Sequence, residues 1–438
     1  MSEPAARAIV ECLRGRGYQA LYAGGAVRDR LLGVAAQDFD VVTDARPAQV
    51  MELFPKHTAV GAKFGVVLVH REGAAIEVAT FRTEGSYRDG RHPGEVAYAT
   101  TPQEDVARRD FTINGLLQDP ISGEILDFVG GRADLAAKLV RAIGDPGRRF
   151  AEDHLRMLRA VRFAARLGFA IEPRTLAAIQ RTAAAIHGIS AERVRDELTK
   201  MLTEGRARRA FELLESTGLL AAILPEVARM RGVEQPPQYH PEGDVWTHTL
   251  MMLDGLEAGC PAALAWGVLL HDVGKPPTFR RAPDRIRFDR HAAVGAALAT
   301  GIARRLRFSG HEEEAVAGLV AAHMQWMELP KMRTSTRLRF LRRMDVELLL
   351  ELLRLDCVNS HGDLSLHQYA RAQLDALAPE QLRPPRLLSG DDLLTMGYAP
   401  GPRFREILAA VEDAQLEGEV GDREAARAFV SRRFPMPH

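Results

Sequence analysis

Cysteine is scarce in this 438-residue chain: Cys12, Cys260 and Cys357 are all there is. Three thiols so far apart build neither a disulfide framework nor a CxxC metal site. Long apolar runs are missing too. The longest candidate, Ala262–Leu270, runs into His271-Asp272, well short of the roughly 20 residues that cross a bilayer, so no membrane partner is expected. The opening stretch, MSEPAARAIVECLRGRG, scatters charges where a signal peptide has an apolar core; a cytoplasmic location is expected. Net charge is absent, with 58 basic against 58 acidic residues, which leaves only the local distribution of charge to attract a polyanion. Lysine is also rare: six (positions 56, 63, 138, 200, 275 and 331), which leaves 58 − 6 = 52 arginines. Arginine offers planar, bidentate donors suited to phosphates and base edges. Residues 141–166 hold seven arginines against Asp145, Glu152 and Asp153, a basic stripe compatible with RNA binding. What remains is ordinary: 46% apolar and 26% charged residues, enough chain for roughly three domains at about 150 residues each, and no sign of global disorder.

Apolar β-type runs at Leu21–Ala23, Phe39–Val42, Gly65–Val69 and Ala75–Phe81 alternate with Gly, Pro and charged turns, with a helix expected over Ala26–Leu32. From Arg148 the apolar period changes to three and four residues and holds through Leu224. A Pro/Gly-rich break spans Gly232–Gly243, residues 245–370 are again helical in pattern, and a second break at Ala376–Pro385 leads to a last helical run ending at Phe434. The expectation is an α+β chain: a mixed α/β head with a small sheet (1–140), a helical neck (141–231), a helical domain (244–370) and a helical tail (371–438).

Three constellations carry chemistry. Gly24-Gly25 follows an apolar run and opens a helical pattern, so the backbone can turn tightly and present N–H groups to phosphate, with Arg28 one turn on. Alone it reads more readily as a plain turn. Thirteen residues later stands Asp38-Phe39-Asp40. On a strand, residues two apart share a face, which sets two hard oxygen ligands side by side, suited to Mg²⁺. Glu77 is either a third carboxylate or an exposed strand residue. Second, Asp153 and Arg156 are one helical turn apart, with Arg159 and Arg162 continuing the row. Such a row is either a surface ion-pair helix or a base reader. A carboxylate accepts from the exocyclic amine of C or A and repels the carbonyl of U or G, while a guanidinium donates to the neighbouring acceptor. Third, His271-Asp272 ends an apolar helix.

In order along residues 21–201, GGAVRD with DFD, Arg108-Arg-Asp-Phe-Thr-Ile-Asn114, Asp127–Leu135, Glu152-Asp-His-Leu-Arg156 and Ser190–Met201 together resemble the motifs of the class II nucleotidyltransferase family, which holds CCA-adding enzymes and bacterial poly(A) polymerases. The resemblance implies a nucleotidyltransferase head in which Asp38 and Asp40 hold catalytic Mg²⁺, Gly24, Gly25, Arg28, Arg109, Arg159 and Arg162 contact the nucleotide, Asp110 bonds the ribose, and Asp153 with Arg156 reads the base. It implies addition of CCA, or its terminal A, to the 3′ end of the tRNA acceptor arm from CTP and ATP. Poly(A) synthesis is the alternative within the family. The 60–65 segment looks like that of CCA-adding enzymes, and a Gly- and charge-rich loop over 83–95 is the segment that related enzymes need to pass from C to A addition. His248, His271-Asp-Val-Gly-Lys275, His291, His323 and Asp356 resemble the HD phosphohydrolase superfamily. That implies an HD domain with His248, His271, Asp272 and Asp356 around a divalent transition metal such as Mn, Co or Ni. A scaffold that keeps the motif without the chemistry is the alternative. The segments 389–393 and 397–402 resemble the terminal region of HD-containing members. Oligomeric state stays open.

Overall fold

The structure, a computed structural model, describes residues 2–36, 38–59, 65–83, 97–377 and 384–435. Two compact units emerge. One comprises Met1–Ala228 with Leu256–Cys260 and Arg305–Arg307; the other comprises Arg229–Gly255, Pro261–Arg304 and Phe308–His438. Most of the segment 60–65 and most of the loop 83–95 lie outside the described residues.

The first unit is built on a seven-stranded sheet, ordered β3-β4-β5-β2-β1-β6-β7. Its strands are β1 (Ala20–Ala23), β2 (Asp40–Thr43), β3 (His57–Thr58), β4 (Val66–Arg71), β5 (Ala74–Thr80), β6 (Leu117–Gln118) and β7 (Ile125–Leu126). β2 and β5 run parallel; the other neighbours are antiparallel. Helix Ser2–Gly15 buries Ala5, Ala6, Ile9, Val10 and Leu13 on one stripe, the 3–4 spacing that seats a helix on a sheet. In β5, Ile76 and Val78 are buried while Glu77 is exposed, so Glu77 stands on the open face. The register Val41↔Val78 sets Asp40 level with it on the adjoining strand. β2 starts only at Asp40, with Asp38 exposed in irregular backbone before it. The expected strand face shared by Asp38 and Asp40 is therefore corrected: only Asp40 belongs to the strand.

A second correction concerns the neck. Helix Pro146–Glu152, capped by the Asp145 carboxylate on the Arg148 amide, stops at Asp153, whose backbone is extended (φ −152°, ψ 104°). A new helix spans Leu155–Leu167 and ends at Gly168 in the left-handed region (φ 69°). Asp153 and Arg156 thus do not share a helix. Asp153 Oδ1 accepts the Leu155 amide at 3.0 Å, the local bond by which Asp competes with helical continuation. Further on, helix Ala191–Thr203 packs against Leu155–Leu167. Two short strands inside this stretch, β8 (Leu139–Val140) and β9 (Ala170–Ile171), pair in parallel; two residues each are too few for a readable period-2 pattern.

In the second unit, helix Ala262–Leu270 (AALAWGVLL) buries Leu264 through Leu270 and packs against helices Val245–Asp254, Gly310–Ala322 and Val346–Asn359. A helix apolar all round is a core helix. A hairpin of β10 (Phe279–Arg281) and β11 (Ile286–Phe288) interrupts the expected helical run. The C-terminal helices close on their own cluster of Leu393, Ile407, Phe429 and Val430.

Candidate functional site

A cleft of about 630 Å³ opens in the first unit, lined by the Gly24-Gly25 turn, Asp40, Glu77 and the neck helices. Gly24 takes φ 68°, a left-handed conformation suited to glycine, and a Cβ there would meet Arg109 Nη1 at 3.5 Å. Among the described residues the lining holds nine arginines (28, 82, 108, 109, 156, 159, 162, 166 and 193) against Asp40, Glu77, Asp110 and Asp153. A chain of zero net charge therefore has a strongly basic cleft, which focuses field on a polyphosphate. A larger cavity, about 950 Å³, lies among the C-terminal helices but holds none of the expected site residues.

Most of these guanidinia are held. Arg28, buried, donates to Asn114 Oδ1 at 2.7 Å; Arg159 Nε donates to Asp110 Oδ2 at 2.8 Å; Arg162 Nε donates to Glu197 Oε2 at 2.7 Å. The Phe163 ring lies 4.5 to 5.2 Å from the guanidinium carbons of Arg28, Arg159 and Arg162, a platform that favours cations. Asp105, wholly buried, pairs with both Arg108 and Arg109. The expected ribose partner Asp110 accepts from Arg159, the Phe111 amide and Asn114, and after the burial that raises its pKa, these partners pull it below the usual carboxylate range.

Arg156 and Asp153 both line the cleft but do not pair with each other. Arg156 Nη1 donates to Glu152 Oε2 at 2.6 Å and to the Arg149 carbonyl at 3.0 Å, and Nη2 to the Arg108 carbonyl at 3.0 Å. Asp153 instead accepts Arg193 Nη2 at 2.7 Å and Nη1 at 3.3 Å. Arg193 was missed in the sequence, although it lies in the Ser190–Met201 motif; Phe163 was missed because an apolar residue on a helix reads as core, and Asp105 because nothing local shows a carboxylate buried between Arg108 and Arg109.

Asp40 is pushed up to about 6, by burial first and then by Glu77, with Arg109 opposing. Crowded, partly buried carboxylates with hard oxygens are a donor set that a divalent cation relieves. Asp38, exposed, is not among the residues lining the cleft.

The second unit brings His248, His271, Asp272 and Asp356 together. His248 Nε2 is 3.1 Å from Asp356 Oδ1, and His271 Nε2 is 3.1 Å from Asp272 Oδ2. Three histidines turn Nδ1 to the carbonyl three residues back: His271 to Val268, His291 to Phe288, His323 to Val320. That contact fixes Nδ1 as the protonated nitrogen and leaves the Nε2 lone pairs free. His291 and His323 face each other through Nε2 at 3.2 Å, two acceptors that need a cation between them, and lie 3.6 and 3.9 Å from Asp272 Oδ1. Among the described residues, the ligand sets within 4.8 Å are His248/His271/Asp272, Asp272/His291/His323 and His240/Glu242/His248. Burial, reinforced by His271, lowers His323 to about 4. Burial would also lower His248, but Asp356 and Glu242 raise it to about 9. Gly274 has no room for a side chain: a Cβ would lie 2.1 Å from the His291 carbonyl and 2.6 Å from the Gly295 amide. The glycine of HDVGK is what lets helix His291–Arg305 approach. Glu242 and His240 went unnoticed in the sequence because they sit in the interdomain break.

Three family models match: the poly A polymerase head domain over residues 20–141, the probable RNA and SrmB-binding site of polymerase A over 168–230, and the HD domain over 245–348. An A-adding tRNA nucleotidyltransferase of Deinococcus radiodurans is 37% identical over 435 residues, 93% of this chain and 94% of that protein. The chain belongs to the tRNA nucleotidyltransferase and poly(A) polymerase family, with an HD domain. A CCA-adding enzyme of Bacillus pumilus is 41% identical over 276 residues, which span 63% of this chain and 65% of that protein's length. The crystal structure of the Bacillus stearothermophilus CCA-adding enzyme in complex with CTP superposes with a TM-score of 0.74 at 29% identity, covering 99% of this chain and 98% of that one. Nucleotidyltransferase and HD families are metal-dependent. Among the described residues no helix is long and apolar enough to cross a membrane.

Proposed function

We propose that this tRNA nucleotidyltransferase family member adds CCA, or its terminal A, to the 3′ end of tRNA from CTP and ATP, without a template and in the cytoplasm. One observation carries the reading: a single basic cleft holds the glycine turn, the Asp40–Glu77 carboxylates and the Asp153 and Arg156 side chains. The Gly24-Gly25 backbone with Arg28, Arg109, Arg159 and Arg162 binds the triphosphate, and Asp110 reaches the ribose. Arg156 spends both Nη1 hydrogens and one on Nη2 within the protein, which leaves Nε–H and one Nη2–H for a base acceptor. Asp153 accepts the exocyclic amine. Asp38 and Asp40, joined by Glu77, hold Mg²⁺, whose chemistry when bound is activation of the primer hydroxyl and neutralisation of the leaving pyrophosphate.

The test is incubation with tRNAs ending before CCA, after C and after CC, with CTP and ATP together and separately, followed by sequencing of the products. CCA completion on the first substrate assigns full addition; extension of the CC end alone assigns the A-adding activity. Long A tails, or no addition at all, overturn the proposal.

The histidine cluster favours a second activity. His248, His271, Asp272 and Asp356 on one side, and Asp272, His291 and His323 on the other, fit a divalent transition metal such as Mn, Co or Ni, since the fixed tautomers of His271, His291 and His323 and the carboxylates of Asp272 and Asp356 suit those ions. Phosphate-ester hydrolysis is the chemistry they supply. Lys275 Nζ, 2.7 Å from Asp272 Oδ2 and 2.6 Å from Gln235 Oε1, is placed beside them. Absence of hydrolysis of 2′,3′-cyclic phosphates with any of the three metals would leave the domain a scaffold.

A further inference from the structure

We infer that Arg193 is the positioning residue that makes Asp153 a discriminating reader of the incoming base; this rests on the reading of Asp153 as the amine acceptor. An ionised carboxylate has four lone-pair directions. On Asp153 three are spent inside the protein. Oδ1 accepts the Leu155 amide at 3.0 Å and Arg193 Nη1 at 3.3 Å, and Oδ2 accepts Arg193 Nη2 at 2.7 Å. One direction, on Oδ2, is left for a ligand in the cleft that both residues line. The two-pronged guanidinium also fixes the plane of the carboxylate, since a planar fork on a planar acceptor sets its rotation as well as its distance.

This geometry matters for selection. Cytosine and adenine each present an amine beside a ring-nitrogen acceptor; uracil and guanine present a carbonyl beside a ring N–H. A carboxylate free to turn about its Cβ–Cγ bond, with several open lone pairs, can swing to accept that ring N–H and so tolerate U or G. Held to one open direction, with the remaining Arg156 donors beside it, it meets the amine and the acceptor in a single register. Arg193 sits at the third position of helix Ala191–Thr203, while Asp153 lies between two other helices, so their packing sets the register. Both partners are partly open to solvent, with side chains 25% and 20% exposed. A melting curve on each variant separates loss of the ion pair from loss of the fold.

The experiment measures kcat and KM for each of the four NTPs on one fixed tRNA primer, with Arg193→Met, Arg193→Lys, Asp153→Ala and the double variant Asp153→Ala/Arg193→Met. Arg193→Met keeps the length of the side chain and removes every donor. Its kcat/KM for UTP relative to CTP, and for GTP relative to ATP, is expected to rise roughly tenfold or more, which is the scale of one lost base-edge contact. Arg193→Lys, with one donor for Oδ2, is expected to recover part of the ratio. Because Arg193 acts through Asp153, the double variant is expected to discriminate no worse than Asp153→Ala, a non-additivity that only coupled residues show. An Arg193→Met enzyme that is slower with all four nucleotides at unchanged ratios overturns the inference, as does an additive double variant. If Asp153→Ala itself keeps wild-type ratios, the base-reading role of Asp153 falls, and the inference with it; if Asp153→Ala loses them while Arg193→Met does not, only the role of Arg193 is overturned.

Discussion

Asp40 carries opposite consequences for stability and for catalysis. Its carboxyl has an ordinary value of 3.8 and is raised to about 6 in the native protein, by burial first and by Glu77 next. Between those values the native state keeps a proton that the unfolded chain has released, so stability falls as pH rises through this window, and the loss is complete above about 6. For a partly buried group the deficit is on the order of 1–3 kcal/mol. Asp40→Asn should therefore abolish nucleotide addition yet raise the melting temperature at pH 7.5 in the absence of divalent cations, with the gain gone at pH 4. Asp38→Ala should also abolish addition, but exposed Asp38 should leave the melting profile unchanged. Thermal melts across pH with primer extension on the same samples check both. Near-normal addition by either variant at saturating Mg²⁺ removes that residue from the metal site. Asp38 and Asp40 were legible because their types and spacing are local; the unequal burial that separates them was not, since it depends on where β2 begins and on which strand lies beside it.

The arginine row of helix Leu155–Leu167 was readable from its three-residue spacing. Nothing local shows that the preceding turn ends at Asp153, because Glu-Asp-His is compatible with a continuing helix until the Leu155 amide is taken by the Asp153 carboxylate. Partners from far along the chain, such as Arg193 for Asp153 and Glu197 for Arg162, are equally invisible locally. The same holds for HDVGK: the motif is plain, and the reason for its glycine is the approach of a helix that starts sixteen residues after Lys275. Gly274→Ala should force that helix away, with an overpacking cost of about 1–3 kcal/mol, and lower the amount of Mn, Co or Ni retained after dialysis. Metal analysis together with a melting curve tests this. Full metal retention with an unchanged melt would mean that the close approach positions nothing at the cluster.

As a whole, the molecule has two compact units, each with its own constellation: the basic cleft in one, the histidine cluster in the other. His271→Ala and Asp272→Ala are accordingly expected to lose the transition metal, and any hydrolysis of 2′,3′-cyclic phosphates, while tRNA extension stays within about twofold of wild type. Metal content, hydrolysis and extension measured on one preparation decide it, and a parallel collapse of extension would show the two sites to be coupled. The amino-acid order alone determined the α+β class, the switch from strand to helical periods near residue 148, the family motifs and most of the side chains that reach each site, because all of these rest on composition, period and short-range spacing. Only the tertiary structure decided which of them meet. It set Arg193 on Asp153, and it joined His291 and His323 to Asp272. Which lone pair a side chain has left for a ligand is settled in these cases by neighbours from 19 to 51 residues away in the chain, as for His291 and His323 on Asp272 and Arg193 on Asp153, and no local pattern encodes them.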